Sequence, residues 1–241
     1  MLHSRVKLAY VVIVSLMAII GVPQRVHATP PIGLDGVGRD IAPGEQSLTT
    51  TRPNDVVILI IECGFATSCD GSISSVADNT GLNFLLRVTF APGDKLWEYY
   101  AVARSPLTSD NITVVGQCNF TYHVCRMLAF AIRNANTGGI FDPSSSLPVT
   151  VSCLGFQVSQ CSASTTTSTI DMVIVGVAQN DAPSCGTGVG GVPGFTVIGG
   201  SVELYYQIIV RPHSNVTFSC TGFSDPDLIV LDAVSFPPGF R

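Results

Sequence analysis

Short apolar runs recur along the chain, separated by clusters of Gly, Pro, Ser and Asn. The run "DVVILIIE" (55–62) is apolar without alternation, which predicts a central strand covered on both faces. "NFLLRVTF" (83–90) and "KLWEYYAVAR" (95–104) flank Pro92-Gly93-Asp94 and predict a hairpin. Eight further runs follow: "NITVVG", "VCRMLAFAI", "LPVTVSC", "IDMVIVGV", "GFTVIGG", "SVELYYQIIV", "NVTFSC" and "DLIVLDAVSF". "CRMLAFAIRNA" contains good helix formers, but Phe130 and Ile132 also fit strand alternation, and we read it as a strand. No segment holds a helical apolar stripe over three turns. The pattern therefore predicts an all-β, antiparallel β-sandwich of about eleven strands, jelly-roll-like and stapled by disulfides.

Two segments break the pattern. "CSASTTTST" (161–169) is a run of hydroxyl residues, and "CGTGVGGVPG" (185–194) is glycine-rich. Both are expected to be exposed connections, the first suited to O-glycosylation. The second lacks the Gly-Lys-Ser/Thr ending of a phosphate loop. No internal repeat is evident, so residues 47–241 are expected to form one domain.

The N-terminus changes the picture most. His3, Arg5 and Lys7 precede an uncharged apolar run from Leu8 to Val22, and Val26-His27-Ala28 suits a signal peptidase. Residues 1–28 read as a secretory signal, and residues 29–46 as an extended N-terminal arm. The chain is then extracellular or at the cell surface, and meets the membrane only if the signal stays uncleaved.

All eight cysteines follow the signal: Cys63, Cys69, Cys118, Cys125, Cys153, Cys161, Cys185 and Cys220. An even count in an oxidising compartment reads as disulfides, and none has zinc spacing. Nearest-neighbour spacing suggests Cys63 with Cys69, Cys118 with Cys125 and Cys153 with Cys161, leaving Cys185 for Cys220. On that reading "CNFTYHVC" is a disulfide-closed hairpin tip with Asn119 facing solvent.

Removing the signal leaves nine basic against 17 acidic residues, a net charge of −8, with Lys95 the sole lysine. No basic patch exists for nucleic acid. Sequons at Asn111, Asn119 and Asn215 would hydrate a surface this poor in charge.

Candidate chemistry is sparse. His123 and His213 are the histidines beyond the signal, and neither a G-x-S-x-G elbow nor an H-E-x-x-H motif is present. Glu98 and Glu203, each beside aromatics on an expected strand, are the carboxylates a glycoside hydrolase would need. Plain strand alternation instead points each outward. Asp70, Asp78, Asp225 and Asp227, with Asp35, Asp40 and Asn79, are oxygen donors that suit calcium or simply cap turns. Trp97 and Tyr100 are candidates for a sugar platform, although Trp97, Tyr99 and Ala101 share a face that suits core filling. No cofactor or catalytic role is expected.

The stretches "RPNDVVILIIE", "SSVADNTGLNFLLR", "KLWEYYAVA", "FDPSSSLP" and "DAVSF" resemble a family of secreted archaeal β-sandwich surface proteins. The resemblance covers most of residues 30–236 and implies a fold rather than a catalytic set. Some such proteins form extracellular threads or pili in which an N-terminal strand completes the next subunit's sheet. Here Ile32 and Leu34 occupy alternate positions in a Gly/Pro-rich arm, which would suit donation to another copy or pairing within its own domain. Apolar strands with one lysine also leave edges that need cover. The reading is a secreted structural or adhesive surface protein, a candidate filament subunit assembling through an edge strand or this arm. The alternative is a carbohydrate-binding module that takes glycans, and a glycoside hydrolase comes third.

Overall fold

The computed structural model describes residues 32–63, 72–90, 95–117, 125–153, 160–178, 194–199, 202–221 and 227–238. The expected signal, residues 1–28, lies outside them. Strand β4 (Asp55–Cys63) is buried at every one of its nine positions. Its alternation sorts two sets of side chains. Val56, Ile58 and Ile60 enter one core, and Val57, Leu59 and Ile61 enter another. An unbroken apolar run is what a strand needs when both faces meet other sheets.

Around β4 lie β1 (Gly33–Val37), β6 (Leu85–Phe90), β7 (Lys95–Ala103) and β9 (Cys125–Arg133), in the order β1-β9-β4-β7-β6. β6 pairs with β7 and β9 forms a strand, as expected, while the turn at Pro92-Gly93-Asp94 lies outside the described residues. A second inner sheet has the order β10-β16-β12-β14-β13, from β10 (Val149–Cys153), β12 (Asp171–Ala178), β13 (Thr196–Val197), β14 (Glu203–Ile209) and β16 (Asp227–Ser235). The first outer sheet is β2-β3-β8-β5, from β2 (Arg39–Ala42), β3 (Glu45–Leu48), β5 (Ile73–Ala77) and β8 (Asp110–Gly116). The second pairs β11 (Gln160–Thr167) with β15 (His213–Thr221). Every named strand pairing is antiparallel, and no helix occurs among the described residues.

Three cores separate these four sheets. Ile58, Leu128 and Phe130 meet Ile174, Leu204 and Val230 between the two inner sheets. Leu59, Trp97 and Met127 meet Leu48, Ile112 and Val114 beneath the first outer sheet. Val175, Tyr205 and Leu231 meet Ala163, Val216 and Phe218 beneath the second. The architecture is thus an outer–inner–inner–outer stack, two sandwiches back to back. Residues 32–241 form one compact unit.

The strand order repeats, contrary to the reading of the sequence. β3, β4, β7, β8 and β9 correspond in order and sheet position to β11, β12, β14, β15 and β16. The register agrees as well. Asp55 opposes Ala103 and Leu59 opposes Tyr99, while Asp171 opposes Ile209 and Val175 opposes Tyr205. Tyr99-Tyr100 therefore matches Tyr205-Tyr206, and the triplet at Asn111 on β8 matches that at Asn215 on β15. The repeat escapes the sequence because a strand needs only apolar character in alternation, which many residues supply.

Other expectations change. The described residues form sixteen strands; the added ones are β1, β2, β3 and β5, which are short and weakly apolar, and β11. "CSASTTTST" is no exposed connection over residues 161–167. It forms most of β11, whose burial alternates strictly, with Cys161, Ala163, Thr165 and Thr167 inward. Thr is a good strand residue, and half-burial supplies the energy that its composition conceals. Most of the glycine-rich segment, 185–193, lies outside the described residues. The arm 29–46 contributes β1, β2 and part of β3 to the chain's own sheets, and Ile32 is fully buried.

The cysteines also pair differently. Cys63 ends β4 and Cys125 begins β9, the two are register partners with Cα atoms 4.3 Å apart, and they are bridged. This overturns both Cys63–Cys69 and Cys118–Cys125, because adjacent strands bring sequence-distant residues closer than a short loop must. Cys69, Cys118 and the rest of the ring around Asn119 and His123 lie outside the described residues. Cys153–Cys161 forms as expected. Cys220 is disulfide-bonded, and Cys185 lies outside the described residues.

Candidate functional site

Buried charged groups meet at the core between the inner sheets. Alternation on β7 sends Trp97 into the core beneath the first outer sheet, at 5% exposure, and turns Glu98 and Tyr100 the opposite way. That opposite face is covered by the second inner sheet, so Glu98 is 1% exposed and not directed to solvent. It shares the interface with Arg87 of β6 and Asp232 of β16. Arg87 donates from Nε and Nη2 to Asp232 at 2.7 and 3.3 Å. The Ala233 N–H adds a bond of 2.8 Å to Asp232, and the guanidinium lies 4.1 Å from the Phe141 ring centre. Phe141 meets Tyr100 edge-to-face at 5.0 Å.

Burial pushes the Glu98 carboxyl well above its ordinary range, nearby Asp232 adds to the rise, and Arg87 opposes it. Burial also pushes Asp232 up, and its Arg87 contacts oppose that. Asp232 holds the cation, while Glu98 Oε1 receives no donor among the described residues. The arrangement is one ion pair beside a carboxyl whose neutral form is favoured by burial and by Asp232, which limits net charge in the core.

Glu203 cannot join this group. It receives the Tyr205 hydroxyl at 3.0 Å, and Tyr205 faces the core beneath the second outer sheet. Sheet alternation places Glu203 on that same side, with the second inner sheet between it and Glu98. The two glutamates therefore do not face one another across a cleft, as glycoside hydrolysis requires.

Beside β6 lies a groove of about 670 Å³, lined by residues that include Leu82, Leu85, Tyr100, Val102, Arg104 and Ile140. Trp97 is absent from this wall. Tyr100 is the aromatic candidate that reaches it.

Two carboxyl pairs stand at equivalent places in the repeats. Asp35 on β1 receives the Thr51 N–H at 2.5 Å, the Thr51 hydroxyl at 2.6 Å and the Arg52 N–H at 3.1 Å. Asp142 receives the Ser168 N–H and hydroxyl, both at 2.7 Å, and the Thr169 N–H at 3.0 Å. Against Asp35 stands Asp55, the first residue of β4, and against Asp142 stands Asp171, the first residue of β12. Burial, then the neighbouring acid, pushes the Asp55 carboxyl up to about 7. Burial likewise carries Asp171 up to about 7, with Thr169 opposing and Asp142 adding. Burial would raise Asp35 and Asp142 too, but the donors around each outweigh it and hold both below the usual value.

Among the described residues the calcium candidates do not assemble. Asp78 caps its own turn, receiving the N–H groups of Thr80, Gly81 and Leu82. Asp40 receives the Gln46 amide at 2.6 Å. Asp227 begins β16, and Asp70 and Asp225 lie outside the described residues. Among the described residues no three acidic, histidine or cysteine side chains converge. Asn111 and Asn215 are exposed on the two outer sheets, and the Thr217 hydroxyl donates to Asn215 at 2.9 Å.

Sequence reading missed Arg87, Asp232 and all four clustered aspartates as groups. A signal existed in "VLDAV" and "IDMVIV", where a lone acid opens or interrupts an apolar run. No known protein family, curated protein or solved structure matches the chain.

Proposed function

We propose that this is a secreted structural or adhesive surface protein whose copies associate edge to edge, with glycans at Asn111 and Asn215 on its broad faces. The observation that carries the reading is apolar exposure at sheet edges. Leu85 and Leu86 of edge strand β6 are 45% and 52% exposed, and Val197 of edge strand β13 is 40% exposed. Strands of this kind are templates for pairing with another chain. Arg87 reaching Asp232 sets β6 over the β10–β16 side of the second inner sheet, and β13 ends the other side. Opposed edges suit head-to-tail association, which extends into filaments when it does not close into a ring. The cystines fit an oxidising compartment. The resemblance to archaeal surface proteins points the same way.

The test is light scattering and electron microscopy of the mature secreted protein beside Leu86→Lys and Val197→Lys. Filaments or ordered oligomers in wild type, lost in either folded variant, support the reading. A wild-type protein that stays monomeric at high concentration sinks it. The groove at Tyr100 favours a second reading, carbohydrate binding. That reading requires glycan binding that disappears in a folded Tyr100→Ala protein.

A further inference from the structure

We propose that Asp35–Asp55 and Asp142–Asp171 each share a single proton and act as two equivalent clasps, locked in acid, that fasten an edge segment to the corner opening the central strand of each repeat. The inference is independent of the assembly reading. It rests on geometry that occurs twice. In each repeat one aspartate sits on the sheet's edge side, on β1 in the first and just after the Phe141–Val234 bridge in the second. That aspartate accepts N–H, hydroxyl and N–H from two consecutive corner residues, Thr51-Arg52 or Ser168-Thr169. The second aspartate is fully buried at the start of β4 or β12.

These donors commit the first carboxyl to its ionised form. The second has the opposite environment. Neither oxygen of Asp55 receives a donor among the described residues, and the same holds for Oδ2 of Asp171. A fully buried carboxylate without donors beside another carboxylate is strongly disfavoured, whereas the neutral acid can donate its proton to its neighbour. The groups facing Asp55 are Asp35 from β1, Arg52 from the corner and Arg133 from β9, and its β7 partner, Ala103, is uncharged. Asp171 faces Asp142 and the Thr169 hydroxyl, 2.6 Å away, and its strand partners, Ile209 and Ser235, are uncharged. Arg52 and Arg133 temper the repulsion in the first clasp.

Loss of the shared proton places two anions against each other. The acid–carboxylate bond is lost, and charge repulsion opens the edge segment from its corner. In the first repeat the freed element is β1, which would uncover the β9 edge. In the second it is the stretch 141–148.

Hydrogen–deuterium exchange of the intact disulfide-bonded protein tests this, after correction for intrinsic exchange. Opening of 33–37 and 141–148 should grow at least about tenfold between pH about 5 and about 7. In Asp55→Asn/Asp171→Asn, where an amide donates without titrating, that growth should vanish. Equal exchange across the range in wild type, or equal growth in the double variant, overturns the clasp. Should the double variant fail to fold, carboxyl carbon resonances of the wild type decide. Titration of Asp55 and Asp171 near neutrality supports the clasp, and titration at the ordinary aspartate value overturns it.

Discussion

Arg87 Nε lies 2.7 Å from Asp232 Oδ2, an ion pair that ties β6 of the first repeat to β16 of the second across their shared apolar core. Asp232 is fully buried. Removing its cation leaves an uncompensated anion beside Glu98. Arg87→Leu should therefore destabilise by about 3 kcal/mol in urea titrations. Arg87→Met combined with Asp232→Leu should recover most of that loss, because a packed apolar pair carries no desolvation penalty.

The Cys63–Cys125 bridge closes a span of 62 residues, whereas Cys153–Cys161 closes eight. In the chain-entropy account these contribute about 4 and about 2.5 kcal/mol. Cys63→Ala/Cys125→Ala should lower stability more than Cys153→Ala/Cys161→Ala in otherwise oxidised protein. Unreduced peptide mapping should yield a Cys63–Cys125 linked peptide.

Gly176 lies on β12 and faces Ile60 and Leu96 of the other inner sheet. A Cβ there would stand 3.3 Å from both Ile60 Cγ2 and Leu96 Cδ1. The corresponding residue of β4 is Ile60 itself, so one side chain fills the space for both repeats. Gly176→Leu should cost about 3 kcal/mol, read as a lowered thermal midpoint. Gly176→Leu with Ile60→Gly should be less harmful than the single change.

Stability should peak in mild acid. Asp55 and Asp171, raised to about 7, hold protons in the folded state that the unfolded chain releases near pH 4. Their contribution is complete below about pH 4 and is lost as pH rises through about 7. Glu98, also raised, acts in the same direction. Asp35 and Asp142 are lowered, so their contribution is present above about pH 4 and disappears on further acidification. Thermal midpoints measured across this range should rise and then fall with pH. Asp55→Asn/Asp171→Asn should flatten the fall.

Much of the inner sheets was legible from local pattern. "DVVILIIE" announced a strand covered twice, and "NFLLRVTF" with "KLWEYYAVAR" announced their hairpin, because period and turn chemistry are properties of neighbours in the chain. β11 was hidden because its stabilising half is Cys161, Ala163 and two threonines, whose inward direction depends on the sheet above.

Strand type and antiparallel class were thus set by residues a few positions apart, where backbone sterics and side-chain alternation operate. Everything concerning partners was decided across sheets. Cys63 met Cys125 because β4 lies beside β9. Glu98 lost its outward face because a second sandwich packs over it. The aspartates met because each repeat folds its edge back onto its corner. Such contacts join residues separated by up to 145 positions, as Arg87 and Asp232 are, and only the stacking of four sheets brings them within reach.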